Sequence, residues 1–408
     1  MNELLERFLR YVRVETTAVE QTDKYPSSPG QLELGRMLAD ELRTLKLIDV
    51  VVSAHGIVTA TIPPTHPKAP TIAWFAHMDT SPEFTAHDVK PVVHRDYDGR
   101  DIVLPGDTSR LIRVADNEGL AKLKGRTLVT TDGTTLLGAD DKAGVAVVMT
   151  AAARLMSDAK LPRGPIRVVF TCDEEVGRGV DKVDLKQIGA VVGYTLDGDA
   201  AGIIDNETFS ADLAVVTVTG RNTHPGYATG KMVNAIRVAS AFVARMPTTG
   251  FSPETTSDRR GFLHPYVFEG GVEQTRIRVL LRSFVTAELA EQAEQLRAIA
   301  KSVGGEFAGA RIEIEFKKQY RNMAEHLSKE PRVVALAEAA MRDAGMTPEF
   351  KSIRGGTDGS RLSELGLPTP NLSTGMYNYH SPLEFACVEE MESAVEVLLH
   401  LAKRWSME

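Results

Sequence analysis

Histidines and carboxylates gather at a few points of this chain, each just beyond a short apolar run or a cluster of turn residues. His77 and Asp79 follow the run Thr71 to Ala76. Residues two apart on an extended chain point the same way, so these two side chains can reach one site. An imidazole is a common zinc ligand, and a neighbouring carboxylate commonly takes its other ring N–H and fixes the tautomer. Asp140 and Asp141 lie between the apolar turn at Leu136 and a helix start at Gly144. Either could cap that helix, because aspartate is favoured at N-caps and at the positive end of the helix dipole, but capping needs only one of them. Cys172, Asp173, Glu174 and Glu175 follow the run Ile166 to Thr171. Three consecutive acids behind a buried strand are tolerated when a cation sits among them, the alternative being a solvated acidic loop. Asp197 and Asp199 end the run Ala190 to Leu196, and His380 ends the stretch Tyr377-Asn378-Tyr379-His380. Together these residues form a donor set suited to two zinc ions sharing a bridging carboxylate. Nothing in the spacing alone forces the segments together.

The elements that must bring them together can be read from periodicity. Helical spacing predicts helices over Met1 to Arg13, Gln31 to Leu45 and Gly144 to Met156, with the three apolar runs as strands. Strands alternating with helices imply a mostly parallel mixed α/β sheet sandwiched by helices, and in such sheets ligands bind beyond the carboxyl ends of the strands. After Ser210 the order becomes strand (Ala211 to Val218), helix (Gly230 to Met246), strands (Tyr266 to Glu269, Arg276 to Phe284), helix (Ala287 to Val303) and strand (Arg311 to Phe316). That is the order of a ferredoxin-like α+β unit. Helical patterns at Pro331 to Arg342 and Val388 to Leu401 suggest that the first domain then resumes. The expected division is a discontinuous catalytic domain, 1–209 with 319–408, and an inserted domain, 210–318.

Composition agrees with two domains. The chain has 408 residues, against roughly 150 per domain. With 43% hydrophobic and 25% charged residues it can bury a sizeable core. A net charge of −8, without a basic patch, speaks against nucleic-acid and anionic-membrane partners. Two cysteines, Cys172 and Cys387, make no disulfide framework and fit a reducing compartment. The first segment reads as an amphipathic helix and not a signal peptide, and no apolar run reaches the ~20 residues of a membrane span. A cytoplasmic protein is expected.

His77-Met78-Asp79, Gly138-Ala139-Asp140-Asp141-Lys142, Asp173-Glu174-Glu175-Val176-Gly177 and the late His380 resemble, in order and type, the metal-site motifs of the M20 metallopeptidase family. Within that family, five segments resemble its tripeptide aminopeptidases: Asp79 to Pro82, Thr131 to Leu137, Asn222 to Gly226, Arg354 to Gly359 and Tyr377 to His380. The resemblance implies two zinc ions per chain, with Asp140 bridging, His77 and Asp197 on one ion and Glu175 and His380 on the other. It implies Glu174 as general base, Asp79 as the partner of His77, and a short peptide as substrate. It also implies that His224 steadies the oxyanion, with Arg282, Arg354 and Asn378 among the substrate-binding residues, and that the inserted domain serves as lid and dimerisation domain of a homodimer. Two positions depart from the pattern: Ser283 follows Arg282 where an acid is expected, and Asp199 stands where glycine is expected, adding a charge suited to a substrate ammonium. The same ligands would serve a dipeptidase, a carboxypeptidase or an N-acyl deacylase. A peptide-binding protein without turnover is a further alternative, against which the spare base Glu174 argues. A nucleotide-binding oxidoreductase lacks its glycine-rich fingerprint here.

Overall fold

The computed structural model describes residues 2–408, so Met1, the first residue of the expected N-terminal helix, lies outside the description. The chain divides into two compact units. One comprises Met1–Asn206, Glu325–Lys351 and Thr357–Glu408, and the other Glu207–Ala324 and Ser352–Gly356.

The first unit is built on an eight-stranded sheet whose spatial order is Ile48–Val52, Val58–Ile62, Ile166–Thr171, Ile72–His77, Val192–Gly198, Asn371–Ser373, Ile203–Thr208, Glu349–Ile353. Its centre is parallel: Ile72–His77 pairs in parallel with Ile166–Thr171 and Val192–Gly198, and the latter with Asn371–Ser373. These strands are buried almost throughout, which explains their continuous apolar runs, since a parallel strand is covered on both faces. The pairings Ile48–Val52 with Val58–Ile62, Val58–Ile62 with Ile166–Thr171, and Asn371–Ser373 with Ile203–Thr208 are antiparallel.

The helix Ala139–Ser157 is buried at every residue from Ala139 to Ala153 and packs on the strands Ile72–His77 and Val192–Gly198. Gly144 permits this approach: a β-carbon there would stand 1.9 Å from the Leu196 carbonyl oxygen. The helix start is thereby pressed against the strand end that carries Asp197. A smaller sheet, in the order Met376–Tyr377, Phe385–Cys387, Leu128–Thr130, Val92–His94, fixes two loops. Its first two strands are antiparallel and hold residues 378–384, including His380, as their connection, while Phe385–Cys387 pairs with Leu128–Thr130 upstream of Asp140.

The second unit has the order strand, helix, two strands, helix, strand: Ser210–Thr219, Ala235–Ala244, Phe262–Gly270, Gln274–Ser283, Glu288–Glu306, Arg311–Tyr320. The sheet order Phe262–Gly270, Gln274–Ser283, Ser210–Thr219, Arg311–Tyr320 is antiparallel throughout. Alternate residues Thr275, Ile277, Val279 and Leu281 are buried, as one covered face requires, with Phe242 and Leu296 of the two helices in the same core. The first helix of this unit starts later than the expected Gly230. Asn234 caps it by accepting the Ile236 N–H, while Val233 exchanges backbone hydrogen bonds with Arg221. The short return Ser352–Gly356 belongs to this unit, whereas the sequence-based expectation of a contiguous 210–318 left it in the first.

Candidate metal centre

Five side chains expected as ligands meet in the first unit. His77 Nε2 lies 2.9 Å from Asp140 Oδ1 and 3.7 Å from Asp197 Oδ1. His380 Nε2 lies 3.3 Å from Asp140 Oδ2 and 2.9 Å from Glu175 Oε2. The two oxygens of Asp140 thus face two different histidines, and each histidine has a second carboxylate of its own. On its other side His77 Nδ1 is 3.1 Å from the Asp79 carbonyl oxygen and 3.5 Å from its Oδ1, which turns Nε2 toward Asp140. The Asp79 carboxylate also accepts the backbone N–H groups of Glu174 and Glu175, at 3.1 and 3.0 Å. One buried aspartate therefore orients the histidine and the acidic turn together.

Adjacent acids of one type have been sorted into different tasks. The peptide between Asp140 and Asp141 is cis, and neither residue has helical dihedral angles. Asp141 accepts the Gly144 N–H at 3.1 Å, as an N-cap does, and its other oxygen accepts the His77 N–H at 3.1 Å. Asp141 also lies with His77 and Asp197 in a cluster whose donor atoms are within 4.8 Å of one another. Each Asp141 oxygen thus accepts one backbone N–H, while the Asp140 oxygens face the two histidines.

Asp173 is likewise separated from Glu174 and Glu175. It takes the left-handed conformation, φ 62°, two residues past the strand Ile166–Thr171, and the two glutamates enter a 3₁₀ turn, where neighbours need not face opposite ways. Its buried carboxylate accepts from the Ser27 N–H, the Ser27 hydroxyl and the Gln31 amide, and its own N–H donates to Gln31. Asp173→Ala orphans these buried donors, and each unsatisfied group costs about 1–3 kcal/mol. The expected result is a lowered midpoint of denaturant unfolding for the metal-free protein, and an unchanged midpoint would show that the Ser27–Gln31 anchor is dispensable.

The electrostatics call for cations. Burial, with the charge of Asp140 next, pushes the Glu175 carboxyl up to about 8 and the Asp197 carboxyl up to about 7. Glu174 is also raised well above the ordinary range, by burial first and then by Asp358, Asp197 and Glu175, against the opposing effect of His77. Burial acts against ionised Asp140 as well, but its hydrogen bonds to His380 and His77 hold it well below the usual range. Carboxylates crowded in a dry site resist ionisation until a positive charge arrives. Glu175 Oε1 is moreover buried without a hydrogen-bond partner among the described residues. His77 groups with Asp141 and Asp197, and with Asp140 and Glu175, in clusters whose donor atoms lie within 4.8 Å of one another, and such imidazole and carboxylate donors fit divalent cations.

The remaining expected site residues have other surroundings. Asn378 and Asp199 line a cavity of about 680 Å³ with Tyr377, Tyr379 and Lys351, and the Asn378 amide donates to the Leu383 carbonyl. His224, Arg282 and Arg354 belong to the second unit. His224 is exposed, and its Nδ1 accepts the Gly226 N–H. Arg282 stacks over the Tyr320 ring at 4.9 Å, and its buried Nη1 has no hydrogen-bond partner among the described residues. Arg354, by contrast, donates to the carbonyls of Asp258 and Arg260 and to the Thr256 hydroxyl, so its fork is already engaged in holding that loop.

Two supporting residues escaped the sequence reading. Asn371 donates to the Asp197 carbonyl and accepts its N–H, and no local pattern announces it. Glu384 accepts N–H groups from the segment that carries Asp140; the signal was an acid inside the otherwise apolar stretch Leu383 to Cys387.

A model of peptidase family M20/M25/M40 matches residues 130–404. The chain belongs to this family. It is 43% identical over 402 residues to peptidase T of Geobacillus thermodenitrificans, covering 98% of each chain. It is 41% identical over 404 residues to peptidase T of Bacillus subtilis, covering 99% of this chain and 98% of that one. Among solved structures, aminopeptidase PepT of Bacillus cereus aligns with a TM-score of 0.76 at 25% identity, over 100% of this chain and 98% of that one. A dinuclear metal-binding M20 peptidase of Bacillus subtilis shares the fold, with a TM-score of 0.66 at 15% identity over 98% and 97% of the two chains.

Proposed function

We propose that this M20 member is a metal-dependent aminopeptidase that removes the N-terminal residue of tripeptides and works with two zinc ions per chain. The observation that carries the reading is Asp140, whose two oxygens face His77 and His380 while Asp197 and Glu175 complete the two sets. When bound, such ions supply Lewis acidity that polarises the scissile carbonyl and acidifies water. Glu174 lies beside a ligand but is not one, and its backbone is fixed by Asp79. It takes the proton of the attacking water and passes it to the leaving amine. Asp79 holds the His77 ring in the orientation that ligation needs.

Substrate binding is assigned from the resemblance to His224, Arg282, Arg354 and Asn378. The buried Nη1 of Arg282, which has no hydrogen-bond partner among the described residues, suits a peptide carboxylate better than the engaged fork of Arg354. If a carboxylate clamp measures distance from the scissile bond, peptide length is selected more strongly than side-chain type. The second unit is assigned as the lid and dimerisation domain of a homodimer. Its edge strand Phe262–Gly270 leaves Tyr266 and Phe268 exposed, a surface suited to a second copy. No helix of the described residues is long and apolar enough to cross a membrane, and a cytoplasmic location remains part of the proposal.

The test is release of free methionine from Met-Gly-Gly, with Met-Gly, Met-Gly-Gly-Gly and acetyl-Met-Gly-Gly as comparisons. Hydrolysis of the free tripeptide, much slower with the other three, is expected. Preference for the blocked peptide would move the function to deacylation, and hydrolysis of none would move it to peptide binding.

A further inference from the structure

Glu384 lies in the same loop as His380, between the strands Met376–Tyr377 and Phe385–Cys387. Its side chain is buried, with 1% of the residue exposed. One carboxylate oxygen accepts the N–H groups of Leu137 and Gly138, at 2.8 and 2.7 Å, and the other accepts the N–H of Asp140 at 3.0 Å. The element Ala139–Ser157 begins after Gly138, whose left-handed conformation comes with no side-chain cap, so Glu384 supplies the acceptors for Leu137, Gly138 and Asp140 while Asp141 accepts only further on, at Gly144. A carboxylate is the only side chain able to do this with both oxygens, because glutamine would turn an NH₂ toward an N–H group.

Every partner of this carboxylate lies on the segment bearing Asp140, while the residue itself is anchored beside His380: its backbone N–H donates to the Ser381 carbonyl, and Phe385 pairs with Thr130. Glu384 therefore links the two stretches of chain whose side chains, Asp140 and His380, stand 3.3 Å apart. We propose that Glu384 is a positioning residue of the metal centre: it touches no substrate, but sets the placement of Asp140 against His380 and thereby the affinity for the ions. The inference rests on the metal-centre reading above.

The experiment titrates metal-free wild type, Glu384→Gln and Glu384→Asp with Zn²⁺ against a chromophoric chelator, and with Co²⁺ followed by its visible absorption. Thermal unfolding of each metal-free protein runs in parallel. Glu384→Gln is expected to lose about 10–100-fold in metal affinity, the usual cost of disturbing groups that orient ligands, and to change the Co²⁺ spectrum. Glu384→Asp keeps the charge and both acceptors one methylene further back, and is expected to recover part of the affinity. A folded Glu384→Gln protein that matches the wild type in affinity and spectrum overturns the inference. Should that variant not fold, Glu384→Asp carries the same comparison: weaker binding with an unshifted metal-free melting curve supports the role, and wild-type affinity removes it. A wild type that binds neither ion overturns the metal-centre reading itself, and this inference with it.

Discussion

Alanine at position 174 is expected to leave a folded, metal-loaded protein whose kcat on a tripeptide is about a thousand-fold lower, within the range that general-base catalysis contributes. The prediction follows from the division of labour in the acidic turn. The Glu175 carboxylate meets His380 at 2.9 Å, whereas Glu174 has only its backbone engaged by Asp79. Removing Glu174 takes away the proton acceptor and leaves the donor set complete. Metal content should stay at the wild-type value and KM should change little, because the lost interaction belongs to the transition state. Glu174→Gln should behave the same way, since an amide cannot accept the proton at neutral pH. A variant that retains near-normal kcat would remove Glu174 from the mechanism, and one that loses metal would make it a ligand.

Replacing Asp140 by alanine should act on binding before chemistry. Its oxygens stand between the two histidines, so one substitution strips a donor from both groups of ligands. The loss in metal affinity should exceed the about 10–100-fold that changes around the ligands cost, and activity should fall to background with it. Stability reports the same event independently of turnover. A ligand held only by the folded state stabilises it, by about 2.7 kcal/mol at a concentration of 100 Kd. Adding Zn²⁺ should therefore raise the melting temperature of the metal-free wild type and leave that of Asp140→Ala nearly unmoved. Equal metal-induced shifts in the two proteins would show that Asp140 is not a shared ligand and that Asp141, the other aspartate near His77 and Asp197, deserves the assignment.

The parts of this fold that were legible in the sequence are those where burial imposes a pattern on a long stretch. Thr71 to Ala76 and Ile166 to Thr171 read as strands because a strand covered on both faces tolerates almost nothing polar. Gln274–Ser283 was legible for the opposite reason, since one covered face imposes alternation. The hairpin Ile48–Val52 with Val58–Ile62 was not recognised: Ile48 and Val51 are exposed, and Asp49 has a positive φ that interrupts the alternation. Strands as short as Met376–Tyr377 or Leu128–Thr130 cannot display a period at all, yet their sheet holds the His380 loop beside the Asp140 segment.

By itself the sequence offered the candidate donor types beside apolar runs and turns, and the order of the motifs led to the family, because ligand chemistry restricts which residues can serve. Which of several equivalent acids does which task was a tertiary decision. Asp140 and Asp141 are the same residue type side by side, yet Asp141 accepts the Gly144 and His77 N–H groups whereas Asp140 faces the two histidines. Asp173 leaves the site because Ser27 and Gln31, far away in the chain, satisfy its charge. Glu384 became visible only through backbone N–H groups that no side-chain pattern encodes. Hydrogen bonds between distant segments depend on coordinates and not on spacing, so they are settled only when the chain has folded.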